Sequence, residues 1–522
     1  MHNRPTPANP KFIFMMILVI LIVLLACARA ASPAIAPWSV SQGDTQANST
    51  PQTVANSSNP FQPVTRNPGD PIFTPTPDQP HALPTPRLEP DEYQVQAGDT
   101  LGIISQRYGI RLEDLIAANN LPNPDILEIG QLITIPAPPP VGMGPAFKII
   151  PDSELVYGPA SAYFNLVDFI QGKGGYLAQY SEDIDGRTHT GTQVVERIAY
   201  EYSVNPRLIL ALLEYQSGWV TRSNPDESTL EFPMGMVDSW RKGLYRQLAW
   251  TANNMNRGFY LWRVNGIGAW LLADSSAIPI DPTINAGTAG VQHLFSLLYN
   301  RPSWEAAVSS DGLFAIYNAF FGYPFDYAVE PLLPPGLSQP AMQLPMQPGK
   351  TWSYTGGPHG GWGDGSAWAA IDFAPPGEAL GCVNSDEWVV AVSDGRIIRS
   401  SDGAVVQDLD YSGVTNDGLE QTGWTVLYMH VESRDRVQAG DYVRAGEPIG
   451  HPSCEGGVST GTHLHLARRF NGEWIPADQN LPFVLDEWVS RGTGYEYDGY
   501  LQRDGQTIEA EEGRFPSNAI QR

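Results

Sequence analysis

Three hydrophobic rhythms follow one another along the 522 residues and predict a multidomain fold: a small α+β module, a mostly α middle domain and an all-β C-terminal domain. Residues 92–137 read strand, helix, helix, strand; apolar positions recur at helical spacing across 147–335; and period-two alternation takes over across 340–485. At about 150 residues per domain the length itself argues against a single unit. An apolar leader (1–30) and a linker (31–91) precede these domains, and a tail (486–522), to which the pattern assigns no structure, follows them.

Composition narrows the partners. With 31 Lys+Arg against 56 Asp+Glu the net charge is −25, which disfavours nucleic acid, since phosphate neutralisation needs clustered bases. The 42% of hydrophobic residues suffices for sizeable cores, while 51 Gly and 46 Pro imply spacer as well as folded domains.

Phe12 to Ala26 is an unbroken apolar run of fifteen behind Arg4 and Lys11, the n- and h-regions of an export signal and short for a membrane span. Its end, Leu24-Leu25-Ala26-Cys27, resembles the bacterial lipobox, which implies acylation of Cys27 and a lipid anchor at the membrane; cleavage after Ala28-Arg29-Ala30 is the alternative. Either route places the protein outside the cytoplasm. The other two cysteines, Cys382 and Cys454, are an even pair in an exported chain and are expected to be bonded, the alternative being two buried thiols. The linker, with Thr74-Pro75-Thr76-Pro77 and Pro84-Thr85-Pro86, cannot bury enough apolar surface to fold and reads as a tether.

In the first module a strand from Tyr93 breaks at Gly98-Asp99, helical spacing follows through Leu112, Leu115 and Ile116, and Gln131 to Pro136 forms a closing strand. Val95-x-x-Gly98-Asp99-Thr100-Leu101, Asn119-Asn120-Leu121 and Ile135-Pro136 resemble the LysM domain over its whole length. That resemblance implies a two-strand, two-helix fold that binds N-acetylglucosamine units of peptidoglycan or chitin. Gly98, Asp99, Thr100, Leu101, Pro124, Asp125 and Ile126 would line its groove.

In the middle domain Asn205-Pro206 reads as an N-cap with Pro at the first helical position. The segment Tyr202 to Trp219 resembles the catalytic helix of lysozyme-like lytic transglycosylases, but Gln216 stands where that family has its acid. An amide cannot protonate a glycosidic oxygen, and Glu214 projects from another face of the helix, so the domain reads as a non-catalytic relative. Six tryptophans (Trp219, Trp240, Trp250, Trp262, Trp270, Trp304) are read as mostly core, with sugar stacking as the alternative.

The C-terminal domain holds the residues that carry chemistry. Trp388 to Val392, the Asp394-Gly395 turn signal and Arg396 onward read as a hairpin; Trp424 to His430 and Thr462 to Leu466 are further strands. Alternation puts His463 and His465 on one strand face, a pair that is a weak metal signal by itself. His359, Asp372 and His430 join it. Together with Gly440, Gly446, Gly450 and Ser459-Thr-Gly-Thr-His463-Leu-His465, these residues resemble the beta-lytic and lysostaphin-like (LytM, duplicated hybrid motif) zinc metallopeptidases. In the lysostaphin-like branch the first metal His stands four residues before the Asp, where this chain has Trp368; in the beta-lytic branch it stands thirteen before, the separation of His359 from Asp372.

By that resemblance His359, Asp372 and His465 bind Zn²⁺ with a position open to water, and His430 and His463 are the catalytic imidazoles. His451 reads as a surface residue. The expected protein is a zinc metalloendopeptidase that cleaves cross-links or stem peptides of peptidoglycan and is targeted by LysM. The alternative is a silent wall-binding scaffold or hydrolase activator.

Overall fold

The computed structural model describes Phe61, residues 63–66, Pro75, residues 78–81 and residues 89–522, apart from 97–98, 109, 122, 125, 138–141, 378–379 and 411–416. The leader with Cys27, nearly all of the linker, Gly98 and Asp125 lie outside the described residues.

The first module pairs β1 (Asp91–Gln94) antiparallel with β2 (Leu132–Ile135) and packs α1 (Leu101–Tyr108) and α2 (Leu112–Asn119) beside them. Val95, Leu101, Ile104, Leu115, Ile133 and Ile135 form its core. Leu101 was expected in the glycan groove; its side chain is buried in the core instead, because it opens α1 on the inward face.

The middle domain comprises α3 (Leu166–Lys173), a hairpin of β3 (Ser181–Ile184) and β4 (Arg187–Thr190), α4 (Gly191–Tyr202), α5 (Pro206–Ser217) and α6 (Leu244–Arg263). A short pair, β5 (Ala269–Leu271) and β6 (Ala277–Pro279), then leads to α7 (Ala286–Ser296), α8 (Arg301–Ala307) and α9 (Leu313–Phe321). Local chemistry starts the helices: Thr190 and Gln193 form a capping box on α4, and the Asn205 side chain accepts from the Arg207 amide ahead of Pro206 on α5. Trp219, Trp262, Trp270 and Trp304 are fully buried, whereas Trp240 is 80% exposed.

The last domain is built on a nine-stranded antiparallel sheet. Its strands are β7 (Thr351–His359), β8 (Ala370–Ala374), β10 (Gly395–Ser401), β11 (Ala404–Leu409), β12 (Trp424–Met429), β13 (Tyr442–Val443), β15 (Leu464–Phe470), β16 (Glu473–Trp474) and β21 (Ala519–Gln521), with β9 (Val389–Val390) and β14 (Pro448–Gly450) paired apart from it. The order is β13-β10-β11-β12-β15-β8-β7-β21, with β16 beside β15. Alternation divides each strand between two cores. Val405, Val426, Tyr428, Leu464, Leu466, Ile371 and Phe373 face the domain's own core. Ala404, Val406, Leu427, Met429, Ala467 and Ala370 face the helical domain and share its core. Both faces are therefore covered, which explains the apolar run Trp424-Thr-Val-Leu-Tyr-Met429.

Two expectations are corrected here. Asp394-Gly395 does not close a hairpin: β9 pairs with β14, and β10 turns back on β11 at Asp402-Gly403, both with positive φ, as a tight Asp-Gly turn requires. The segment 486–522, to which the pattern assigns no structure, is folded. β17 (Val484–Leu485), β18 (Trp488–Gly492), β19 (Gly499–Arg503) and β20 (Gln506–Glu509) form a four-stranded sheet, and β21 pairs with β7.

His293 on α7 stacks on Trp270, and burial, then Arg257, pushes its pKa down to about 4. It folds neutral, so below pH 6.5 the unfolded chain binds the extra proton and stability falls until the folded imidazole also titrates. We expect His293→Leu to gain about 2–3 kcal/mol relative to the parent chain between pH 7 and pH 4.5, read from urea unfolding at both values.

Candidate active site

Register brings the metal-ligand candidates together. Met429 pairs with His465, His465 with Asp372, and Asp372 with Gly356, one row across β12, β15, β8 and β7. The next row on the same face is Leu427, Ala467, Ala370 and His359. Small side chains are needed at these crossings: a Cβ on Gly356 would lie 2.8 Å from Asp372 Oδ2.

His359 Nε2 and His465 Nδ1 are each 3.3 Å from Asp372 Oδ1 and 2.9 Å from one another. Every imidazole in the cluster is oriented by a backbone carbonyl. His359 Nδ1 meets Gly357 O at 2.8 Å, His465 Nε2 meets Gly361 O at 3.1 Å, His463 Nδ1 meets Gly461 O at 2.7 Å and His430 Nδ1 meets Glu455 O at 3.0 Å. A carbonyl only accepts, so each of those nitrogens carries the hydrogen and the opposite nitrogen presents a lone pair. The lone pairs of His359 Nε2 and His465 Nδ1 thus face each other beside Asp372 Oδ1, a buried oxygen without a hydrogen bond. Such a convergence is repulsive unless a cation joins it. Ligands about 2.1 Å from a tetrahedral zinc stand roughly 3.4 Å apart, close to the separations found, so the residues fit that ion.

Burial opposes charge on Asp372, but in the ion-free site positive charge on a protonated His359, then on His463, outweighs it and holds the carboxyl well below the usual range. His463 Nε2 lies 3.7 Å from Asp372 Oδ2, and the His430 ring is 4.5 Å from that of His463. His430 has φ +65°, a strained conformation held by Ser453, whose amide and hydroxyl both donate to the His430 carbonyl. Cys382 and Cys454 are bonded, tying the loop before β9 to the loop that carries Glu455.

Two features of the site escaped the sequence reading. Tyr497, from the segment taken for a tail, stacks on His359 at 4.2 Å, and its backbone bonds both Gly357 and Pro358. Only the cluster of Tyr495, Tyr497 and Tyr500 hinted at it. The helical domain is the second: the Tyr260 hydroxyl of α6 accepts from the Trp474 amide, and Trp474 packs against Gly361, whose carbonyl orients His465. His451, expected at the surface, is buried; it stacks on Trp388 at 4.0 Å and its Nδ1 meets Glu387 O.

The helix expected to have lost its acid has its own geometry. Glu214 accepts from the amides of Val220 and Thr221 and from the Thr221 hydroxyl, closing the C-terminus of α5, and Gln216 Oε1 accepts from Tyr299 at 2.6 Å. In the first module the Asp99 carboxylate accepts from the Tyr93 hydroxyl and the Gln96 amide, while Pro124 and Ile126 are exposed.

Residues 372–476 match the family model described as Peptidase family M23. The chain carries an M23 peptidase domain. Residues 93–136 match the LysM domain, and 148–334 match the model described as LasA, N-terminal domain. The M23 match begins at Asp372, so the place of His359 in the cluster rests on the geometry above. Protease LasA of Pseudomonas aeruginosa is 26% identical over 309 residues, covering 54% of this chain and 67% of that protein. Lysostaphin of Staphylococcus simulans is 33% identical over 107 residues, 20% of each chain. Secreted LysM effector ECP6 of Passalora fulva is 43% identical over 74 residues, 14% of this chain and 32% of that one. Among solved structures, the M23 metalloprotease pseudoalterin is 25% identical with a TM-score of 0.26, covering 34% of this chain and 96% of that one. Among the described residues, no helix is long and apolar enough to cross a membrane.

A Cβ on Gly361 would stand 2.6 Å from the Trp474 ring. Gly361→Ala should displace the carbonyl that orients His465 and weaken zinc binding by about 10–100-fold, measured by competition with a chromophoric chelator.

Proposed function

We propose that this protein is a zinc metalloendopeptidase that cleaves cross-links or stem peptides of bacterial peptidoglycan. The observation that carries the reading is the convergence of two imidazole lone pairs and an unsatisfied carboxylate oxygen at His359, Asp372 and His465, with His463 and His430 alongside. The relatedness to LasA and lysostaphin and the LysM match support the substrate class.

When bound, Zn²⁺ would supply a Lewis acid that polarises the scissile carbonyl and acidifies water. His359 Nε2, Asp372 and His465 Nδ1 would hold it. The Asp372 carboxyl, held low by imidazolium charge in the ion-free site, would stay ionised as a ligand because the cation then supplies the positive charge. His463 and His430 each have Nδ1 tied to a carbonyl, which leaves Nε2 to take the proton from attacking water and to donate toward the carbonyl oxygen as it gains charge.

The remaining modules deliver this chemistry to the wall. The LysM module would engage N-acetylglucosamine through Thr100, Pro124 and Ile126 with Gly98 and Asp125, and Asp99 would shape the turn through its internal bonds. Acylation of Cys27 would anchor the chain at the membrane, the linker 31–91 giving it reach. Loss of radioactive fatty acid in Cys27→Ser tests the anchor.

The decisive assay incubates the protein with purified peptidoglycan and counts new amino termini and new reducing sugar ends. We expect amino termini alone, abolished by a zinc chelator and reduced at least about a hundredfold in Asp372→Ala. Reducing ends, or release that survives the chelator, would refute the reading; wall binding without release would establish a scaffold instead.

A further inference from the structure

A groove of about 580 Å³ runs between α6 of the helical domain and the turn at Gly363-Asp364 in the peptidase domain. Trp240, Trp250, Tyr202, Arg241, Arg246 and Asp364 line it. We propose that this groove is a second glycan-binding site, which takes the sugar strand of the same polymer whose peptide is presented to His359, Asp372 and His465. The proposal rests on the peptidase reading for its substrate class.

Its lining has the chemistry of a sugar cleft. Trp240 is 80% exposed and neighbours Val237 at 77%, in a domain that buries four other tryptophans completely. An indole left at the mouth of a groove offers a flat apolar face to the C–H side of a pyranose ring, with Trp250 and Tyr202, both half-buried, further in. Its volume lies within the roughly 300–1,000 Å³ of ordinary ligand clefts. Its charged lining is two arginines, Arg241 and Arg246, and two carboxylates, Asp238 and Asp364. Arg241 pairs with Asp238, Asp364 is held from outside the groove by Arg257 at 2.7 Å, and the exposed Arg246 makes one hydrogen bond among the described residues, to the Trp240 carbonyl. The exposed Arg246 can donate to the lactyl group of an N-acetylmuramic acid unit, an amide carbonyl where the peptide is attached and a carboxylate in the peptide-free sugar.

Position ties the groove to the metal cluster. Gly361, whose carbonyl orients His465, and Gly363, which lines the groove, belong to one tight turn, so their backbones lie within about 7 Å. Across the domain boundary Asn253 of α6 clamps that turn, donating to Asp364 Oδ1 at 2.6 Å and accepting from the Gly365 amide at 2.9 Å. A sugar strand lying in the groove would therefore border the turn whose Gly361 carbonyl orients His465.

The test uses the full-length chain and a peptide-free tetrasaccharide of alternating N-acetylglucosamine and N-acetylmuramic acid, followed by titration calorimetry. We expect two sites per chain, one of them in the LysM module. Trp240→Ala should remove one site, and Trp240→Phe should restore it. Arg246→Gln should weaken that site at least fivefold for this tetrasaccharide while leaving an N-acetylglucosamine tetramer unaffected. Unchanged stoichiometry and affinity in Trp240→Ala would overturn the proposal, as would equal loss of both sites. No bond is cleaved in this readout, so two sites on a protein that releases no amino termini would refute the peptidase and leave the glycan groove standing.

Discussion

Everything in the catalytic half depends on the pleat of one antiparallel sheet. Because side chains alternate, a single row across four strands carries Met429, His465, Asp372 and Gly356, and the next row on that face carries Leu427, Ala467, Ala370 and His359. Leu464, Leu466, Ile371 and Phe373 on the opposite face are locked in the domain's own core, so the two rows cannot slip by one residue without driving imidazoles into that core. The helical domain covers the apolar part of the catalytic face, at Ala370, Ala404, Val406, Leu427, Met429 and Ala467. The metal cluster is the part of that face left for chemistry.

Precision comes from the main chain. Four carbonyls, from Gly357, Gly361, Gly461 and Glu455, each take one imidazole hydrogen and so set which nitrogen of each histidine stays basic. Three of those carbonyls come from loops, and loops need external support. Trp474 and Tyr260 supply it to Gly361 and the Cys382–Cys454 bond to the loop of Glu455, while the Tyr497 backbone braces Gly357 at the end of β7. These supports come from the helical domain and from the last strands, which joins distant segments of the chain to one cluster of lone pairs.

The three-part architecture was legible in the sequence because each part has a short-range signature, whereas the five candidate site residues were nominated by resemblance to the beta-lytic peptidases. Period-two alternation put His463 and His465 on one face, and the separation of His359 from Asp372 matched the beta-lytic branch; adjacent rows of the sheet bring these two side chains within 3.3 Å. Long-range pairing left no such trace. Asp394-Gly395 and Asp402-Gly403 are equally good turn dipeptides, and only tertiary packing decides that the second closes the hairpin. Most of residues 486–522 form a small separate sheet whose last strand, β20, is largely exposed, so their periodicity is faint although Trp488, Leu501 and Ile520 are core. Nor does any local pattern predict that His451 is buried against Trp388, since its environment is assembled from Glu387 and Asp435, both remote in sequence.

The central claim is that the tautomers imposed by the backbone create a divalent-cation site at His359, Asp372 and His465. Anomalous diffraction at the zinc edge from crystals of the zinc-loaded protein addresses it directly. One peak about 2.0–2.2 Å from His359 Nε2, Asp372 Oδ1 and His465 Nδ1 is the expected result. A peak on His430 and His463 alone, or no peak with His359 and His465 sharing a hydrogen, would contradict it.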